Sequence, residues 1–122
     1  MQLTHILPLF ALTGYAAAGC YQDGIEWSDR QQALGIVKSA CEQLLIGKYG
    51  PKNTFNGERR TCANMGPNKI DIIITHIQGG DRDLPYEECY DGLQKEVTRC
   101  SRGGDTSYTN WRYKADPNAG NC

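Results

Sequence analysis

The chain has little that is typical of a membrane protein or a nucleic-acid-binding protein. Among its 122 residues, 13 lysines and arginines nearly balance 14 aspartates and glutamates, and the formal net charge is -1. No basic face is implied, so nucleic acid is not an expected partner. After the first 18 residues, no apolar stretch approaches the roughly 20 residues that a membrane-spanning helix needs. We therefore expect one domain without stable membrane insertion.

The sequence is also poor in histidine and in the motifs of common enzymes. It has two histidines, and only His76 follows the N-terminal leader described below. One histidine and widely spaced cysteines do not form a zinc site, so we expect no metal and no cofactor. No Gly-x-Ser-x-Gly elbow and no phosphate loop is present. A small secreted ribonuclease that uses His76 with Glu58 and Arg59 or Arg60 is the least favoured alternative, because a second histidine is missing.

Two pairs of carboxylates have the residue types that glycoside hydrolysis requires. They are Asp81 with Asp83 and Glu87 with Glu88. Both pairs lie near the predicted start of a helix, where the helix dipole favours negative charge, and this structural interpretation is preferred. Together with the missing motifs, it leads us to expect that the protein is not an enzyme.

The first 18 residues have the pattern of a secretory signal peptide. Residues 1–18 contain no Asp, Glu, Lys or Arg, residues 6–12 are largely apolar, and residues 16–18 are all alanine. This pattern ends in an Ala-x-Ala cleavage site. A bacterial lipoprotein, in which Cys20 would carry the lipid, is disfavoured by the lack of a basic start. We expect cleavage at or next to Ala18 and a secreted, extracellular protein of residues 19–122.

The six cysteines all follow the leader, and an even number in a small secreted chain indicates a disulfide framework. They are Cys20, Cys41, Cys62, Cys89, Cys100 and Cys122. Cys89 and Cys100 lie in one predicted helix, about 16 Å apart along its axis. A disulfide requires Cα atoms within about 7 Å, so these two cannot bond to each other. This excludes three of the fifteen pairings and leaves the others open.

Two segments have the apolar spacing of amphipathic helices. The first is predicted to begin at Ser28, which forms a capping box with Gln31, and to stop at Gly47. Its apolar positions are Ala33, Leu34, Val37, Ala40, Cys41, Leu44 and Leu45. The second is predicted to begin near Pro85 and to end before Gly103. Its apolar positions are Cys89, Leu93, Val97 and Cys100, and both stripes are expected to lie in the core.

The residues between the helices predict an antiparallel sheet. Residues 69–78 alternate with apolar positions on both faces, which indicates a central strand. Shorter strands are predicted at 58–65, 20–27 and 109–115, followed by a turn at 116–118. The predicted fold class is α+β: an α/β sandwich in which an antiparallel sheet of about five strands packs against two helices and is held by disulfides.

Four segments resemble the fungal Y-three-like glycan-binding proteins, which are small secreted lectin-like domains. They are CYQDGIEW (20–27), GERRTC (57–62), EECYDGLQKEV (87–97) and GGDTSYTNWRYKADPNAGNC (103–122). The resemblance implies an α/β sandwich that binds a glycan or glycoprotein. It further implies that residues 19–122 form a single glycan-binding domain of a small cysteine-rich fungal protein.

A more distant resemblance is to the smut-type fungal killer toxins, which also have Gly-Glu-Arg-Arg before a cysteine and two helix cysteines eleven apart. It implies a second hypothesis, a secreted toxin or effector that acts on a membrane target, with Arg59 and Arg60 as basic candidates. This chain has fewer cysteines than those toxins, so the resemblance bears more on fold than on activity. The disulfides that it implies are Cys20–Cys100, Cys41–Cys89 and Cys62–Cys122.

The stretch NWRYKADPN (110–118) is the main candidate for sugar binding. A sugar has an apolar ring face and a hydroxyl edge, so it binds an aromatic ring beside polar groups. The candidate residues are Trp111, Tyr113, Asn110, Arg112 and Tyr108, with Lys114 as a further neighbour. The competing interpretation is that Trp111 and Tyr113 pack under the helices while the polar face is solvated. The oligomeric state, monomer or homodimer, stays open.

Overall fold

A computed structural model describes residues 19–122, and the predicted signal peptide lies outside the described residues. The described part contains two α-helices, α1 and α2, and six strands, β1 to β6. In chain order they are α1 Arg30–Glu42, β1 Gly47–Tyr49, a 3-10 turn at Phe55–Gly57, β2 Glu58–Met65, β3 Asn68–His76, β4 Arg82–Leu84, α2 Tyr86–Thr98, β5 Gly104–Ser107 and β6 Trp111–Ala119.

The main sheet has four antiparallel strands in the order β2-β3-β6-β5. β3 is central, as predicted: its Ile72 faces Thr61 of β2 on one side and Ala115 of β6 on the other. β1 and β4 pair separately as a short antiparallel ribbon. The predicted α+β class is confirmed, with six strands in two sheets rather than about five in one.

Alternation along β3 divides the main sheet into a buried face and an open face. Ile70, Ile72 and Ile74 are fully buried in the core cluster with residues of both helices. Asp71 and Ile73, which point to the other face, are only half-buried. The apolar residues on both sides of this strand predicted a central position, but only one side is covered by helices.

The helix limits differ from the prediction at the ends of α1. Asp29, rather than Ser28, is the N-cap, and its carboxylate accepts a hydrogen bond from the Gln32 backbone N at 3.0 Å. The helix already ends at Glu42, and Gly47 starts β1 with a φ of 116°. Both helix stripes lie in the core as expected, except Leu44, which is 63% exposed just beyond α1.

Two local predictions are wrong. Residues 20–27 form no strand, and within them only Cys20 makes an isolated bridge, to Gly104. Residues 116–118 form no turn but continue β6 to Ala119. The backbone N of Ile77 donates to Asn110 O, and alternation along this ladder makes Pro117 a non-hydrogen-bonded partner of Ile70. The missing N–H of Pro117 is therefore not needed for pairing with β3.

Three disulfides join the six cysteines, in the pairing that the killer-toxin resemblance implied. They are Cys20–Cys100, Cys41–Cys89 and Cys62–Cys122. The first two hold α2 at its two ends, because Cys89 lies in its first turns and Cys100 just beyond it. The third ties the end of the chain to β2, where the Cys122 backbone N also donates to the Asn64 side chain at 2.8 Å.

One carboxylate is buried between α2 and β5. Glu96 is only 2% exposed, and its Oε1 accepts a hydrogen bond from the Thr106 hydroxyl at 3.0 Å. A Cβ at Gly104 would lie 2.3 Å from that oxygen, so β5 approaches the carboxylate closely only because residue 104 is glycine. Burial raises the pKa of Glu96 to about 7, against the opposing effect of the Thr106 hydrogen bond.

We expect Glu96→Gln to change the pH dependence of stability. Because the folded pKa lies above the unfolded value, the wild type is most stabilised below about pH 4.5, and this contribution is lost as pH rises through about 7. The variant should lose this pH dependence. At pH 8 its free energy of unfolding should exceed that of the wild type by on the order of 2–3 kcal/mol. Urea unfolding between pH 4 and 8 measures it, with the exposed Glu87→Gln as control. Identical slopes in wild type and Glu96→Gln would contradict the assignment.

Candidate functional site

The structure divides the predicted sugar-binding stretch between the two faces of the sheet. Trp111 and Tyr113 are 2% and 4% exposed, respectively, on the buried face. The Trp111 ring packs edge-on against Tyr49 at 4.9 Å and beside His76 at 5.0 Å between ring centroids. Neither Trp111 nor Tyr113 presents a free ring face, so the prediction that these rings stack on a sugar is corrected in favour of core packing.

The polar neighbours of these rings lie on the open face. Arg112 of β6 makes two hydrogen bonds to Asp105 of β5, at 2.7 and 2.6 Å. Such a bidentate pair fixes both side chains. Lys114 alternates to the same face, where it is half-buried opposite Ile73. Arg112 and Lys114 therefore do not meet the aromatic residues that were predicted as their partners in binding.

Four of the five candidates, Tyr108, Asn110, Trp111 and Tyr113, border a shallow depression beside α2, although Trp111 and Tyr113 are almost fully buried there. It has a volume of about 240 Å³, and its walls include Asp91 and Lys95 of α2. The ammonium of Lys95 lies 5.1 Å from the centroid of the Tyr108 ring and pairs with Asp91 at 3.0 Å. One face of the most exposed predicted ring is thus already occupied by a cation.

His76 has a structural position. It is 1% exposed, and its Nδ1 lies 2.8 Å from the carbonyl oxygen of Gly50. Because a carbonyl can only accept, Nδ1 carries the hydrogen. A ribonuclease mechanism would therefore have to work without the histidine on which that hypothesis was based. His76 instead ties the end of β3 to the start of an unusual loop.

That loop, residues 50–57, is named the Phe55 loop here. The backbone N of Gly50 donates to Asn56 O at 2.9 Å, and that of Gly57 donates to Thr54 O at 3.0 Å. The Thr54 hydroxyl donates to Pro51 O at 2.6 Å. Gly57 cannot be replaced without disturbance, because a Cβ there would lie 2.5 Å from Pro51 O. The loop is closed on itself by its own hydrogen bonds.

Phe55 is the side chain that this loop presents. It is 96% exposed, although burying a phenylalanine side chain is worth about 1.5–3 kcal/mol. Its position in a loop held by hydrogen bonds means that the exposure is built into the fold. The ring is therefore available for contact with a ligand.

A cleft beside Phe55 completes the candidate site. Its volume of about 720 Å³ lies within the roughly 300–1,000 Å³ typical of ligand sites. Thr54 and Asn56 of the loop contribute a hydroxyl and an amide to its walls. The charged residues of the walls are Lys48, Glu58, Arg59, Arg60 and Asp81. We refer to this surface, with Phe55, as the Phe55 cleft.

Ion pairs organise most of these charges. Arg60 pairs with Glu58, whose other carboxylate oxygen accepts a hydrogen bond from the Thr75 hydroxyl at 3.1 Å. The hydrogen bond from Arg60 lowers the pKa of Glu58, so this residue is ionised at neutral pH. Lys48 of β1 lies 3.6 Å from Asp81, and both side chains are exposed. Four of the five charged side chains in the walls are thus held in ion pairs.

The sequence analysis did not identify Phe55 as a candidate binding residue. It is a single aromatic residue in the segment PKNTFNG (51–57), which is rich in turn-forming residues and has no apolar periodicity. A large apolar residue in such a segment has no neighbours with which to form a buried stripe, and this is the signal that could have identified it.

A scan against protein-family models finds no match, and no curated protein is significantly similar to the chain.

Within residues 19–122, neither helix combines the length and apolar character needed to cross a bilayer. The same residues contain no group of three or more His, Cys, Asp or Glu side chains arranged to hold a metal.

Proposed function

We propose that this chain is a secreted, non-enzymatic carbohydrate-binding protein and that its binding site is the Phe55 cleft. The observation that carries the proposal is the almost fully exposed Phe55 ring beside a cleft of about 720 Å³. The resemblance to the fungal Y-three-like glycan-binding proteins supports the same function. The three disulfides are compatible with secretion.

The cleft offers the two kinds of contact that a sugar needs. The Phe55 ring can cover the apolar face of a pyranose, which is the role that the sequence assigned to Trp111. The Asn56 amide and the Thr54 hydroxyl can bind its hydroxyl groups as donors and acceptors. Because the loop is already held by hydrogen bonds, little ordering is required when the sugar binds.

We expect Phe55→Ala to lower sugar affinity by about 2 kcal/mol or more, roughly 30-fold, as removal of a central aromatic contact does. The melting temperature should not change, because the ring is 96% exposed and makes no contribution to the core. A glycan array on the oxidised protein identifies a ligand, and calorimetric titration then gives the affinity of each variant.

Tyr108→Ala is the matched control, since Tyr108 is also an exposed aromatic residue but lies at the depression beside α2. It should bind sugars as the wild type does. An array without any selective signal would refute the proposed function. A ligand that binds Phe55→Ala normally but not Tyr108→Ala would move the site to that depression.

A second candidate function, an effector that acts at a membrane, is favoured by one feature of the same loop. Lys52 is exposed three residues before Phe55 in the same loop, and aromatic and basic side chains are the groups that proteins place at a membrane surface. Sedimentation with anionic lipid vesicles, together with a growth-inhibition assay, tests this alternative. Vesicle binding that requires Phe55, in a protein without array signal, would replace the carbohydrate proposal.

A further inference from the structure

We infer that the Phe55 cleft selects acidic sugars, those with a carboxylate or a sulfate group; this rests on the proposed function. The cleft walls hold three cations and two carboxylates, on a chain whose net charge is -1. Lys48 is paired with Asp81 and Arg60 with Glu58. The third cation, Arg59, is in none of the ion pairs found among the described residues.

Arg59 is held in place by groups that do not neutralise it. Its Nη1 donates to the carbonyl oxygen of Ile46, and its Nη2 donates to that of Lys48 at 3.1 Å. The guanidinium carbon lies 4.6 Å from the centroid of the Tyr49 ring. Tyr49 is itself buried, and its hydroxyl donates to Leu45 O at 2.6 Å. The guanidinium is therefore fixed between β2 and β1 and keeps its full charge.

An arginine in this state is suited to an anion. A guanidinium has five N–H donors, and the two carbonyl bonds leave further donors for a ligand. The side chain loses little rotamer freedom on binding, because its position is already fixed. A carboxylate or sulfate on a sugar would add charge-assisted hydrogen bonds to the contact with Phe55. A neutral sugar gains only that contact and ordinary hydrogen bonds.

The two carboxylates of the cleft do not cancel this preference. Glu58 is occupied by Arg60 and the Thr75 hydroxyl. Asp81 is exposed and pairs with Lys48 at 3.6 Å, a separation at which a surface pair contributes little. Asp81 thus acts mainly to reduce the positive potential that an incoming anion meets. Its removal should strengthen the binding of acidic sugars.

Matched pairs of ligands test the inference. One pair is an oligosaccharide that ends in glucuronic acid and the same oligosaccharide that ends in glucose. A second pair is 6-sulfated and unsulfated galactosides, which separates sulfate from carboxylate. At low salt the acidic member should bind at least about tenfold more tightly, as expected for added hydrogen bonds to a charged group. This advantage should shrink at 0.5 M salt, because salt screens exposed charges.

Three variants locate the effect. Asp81→Asn should raise the affinity for acidic ligands about two- to fivefold at low salt and leave the affinity for neutral ligands unchanged. It changes an exposed side chain and keeps the fold. Arg59→Gln should abolish the acidic preference, with its melting temperature measured because Arg59 also bridges β2 and β1. Arg59→Lys, which keeps the charge, should retain part of the preference.

The outcomes separate the inference from the proposed function. Acidic preference that requires both Arg59 and Phe55 supports the inference. Equal binding of acidic and neutral members, still dependent on Phe55, overturns it and leaves carbohydrate binding at this cleft intact. Acidic binding that survives Phe55→Ala and Arg59→Gln overturns it as well, because the anion then binds elsewhere. If the protein binds none of these ligands and gives no selective signal on the array, the proposed function itself is refuted.

Discussion

Replacing Trp111 by alanine is expected to remove about 3–5 kcal/mol from the free energy of unfolding, the usual cost of truncating a buried tryptophan. The indole ring packs against Tyr49 and His76 and is 2% exposed. Its Nε1 has no hydrogen-bond partner within the described residues, so the loss comes from packing. Total stabilities are typically about 5–15 kcal/mol, and the variant should be marginally folded.

Thermal melting and sugar titration on the same samples test this result. Folded Trp111→Ala should bind the ligand of the Phe55 cleft with unchanged affinity, since the indole contributes no atom to that cleft's walls. Asn110→Ala is the neighbouring control and should melt close to the wild type, because Asn110 is only half-buried. A Trp111→Ala protein with wild-type melting but lost affinity would restore the predicted sugar-binding stretch.

Removal of the Cys41–Cys89 disulfide, by alanine at both positions, is the second large expected effect. It should cost about 2–5 kcal/mol, the usual range for a native disulfide of a small secreted domain. Both cysteines are fully buried where α1 packs on α2. The loss of two buried sulfur atoms also leaves a cavity, which should add about 1–2 kcal/mol.

The Cys62–Cys122 bond is the matched control. The two bonds span 48 and 60 residues, so loss of loop-closure entropy predicts nearly equal costs, within about 0.5 kcal/mol. Cys122 is exposed, and no core cavity forms there. Urea unfolding should therefore rank the Cys41–Cys89 variant as clearly less stable. Equal losses would show that the unfolded chain alone determines the effect.

The parts of the fold that were predictable depend on periodicity. The stripe from Cys89 to Val97 identified the core face of α2, and the alternation in residues 69–78 identified β3 as a central strand. The exclusion of a Cys89–Cys100 bond was likewise correct: α2 separates the two cysteines along most of its length, although Cys100 lies just beyond the helix and not within it as predicted. The Asp-Pro-Asn segment misled because its turn preference is local, whereas the ladder with β3 accommodates Pro117.

The burial of Trp111 and Tyr113 could not be predicted from β6 alone. Alternation assigns these residues to one face but does not say which face is covered. Packing against α2 determines which face of β6 is covered. Gly92 of α2 leaves room for the Tyr113 ring, and a Cβ at position 92 would lie 2.2 Å from that ring. The Tyr113 hydroxyl then donates to Glu88 O at 3.1 Å. Only the packed structure relates positions 92 and 113.

The Phe55 cleft was unpredictable for a different reason. Its walls come from β1, the Phe55 loop, β2 and the turn before β4, and sequence patterns predict single elements better than their meeting points. Arg59 and Arg60 were considered as basic candidates, but their different surroundings were not foreseeable. Arg60 alternates to the open face, whereas Arg59 alternates toward the buried face and reaches Tyr49.

The internal hydrogen bonds of the Phe55 loop have a calorimetric consequence. A segment that folds on binding buries a large area and produces a large negative heat-capacity change. Here the backbone bonds from Gly50 to Asn56 and from Gly57 to Thr54 exist before any ligand arrives. Titrations at several temperatures should therefore give a heat-capacity change no larger than the contact of one sugar face with one phenyl ring explains.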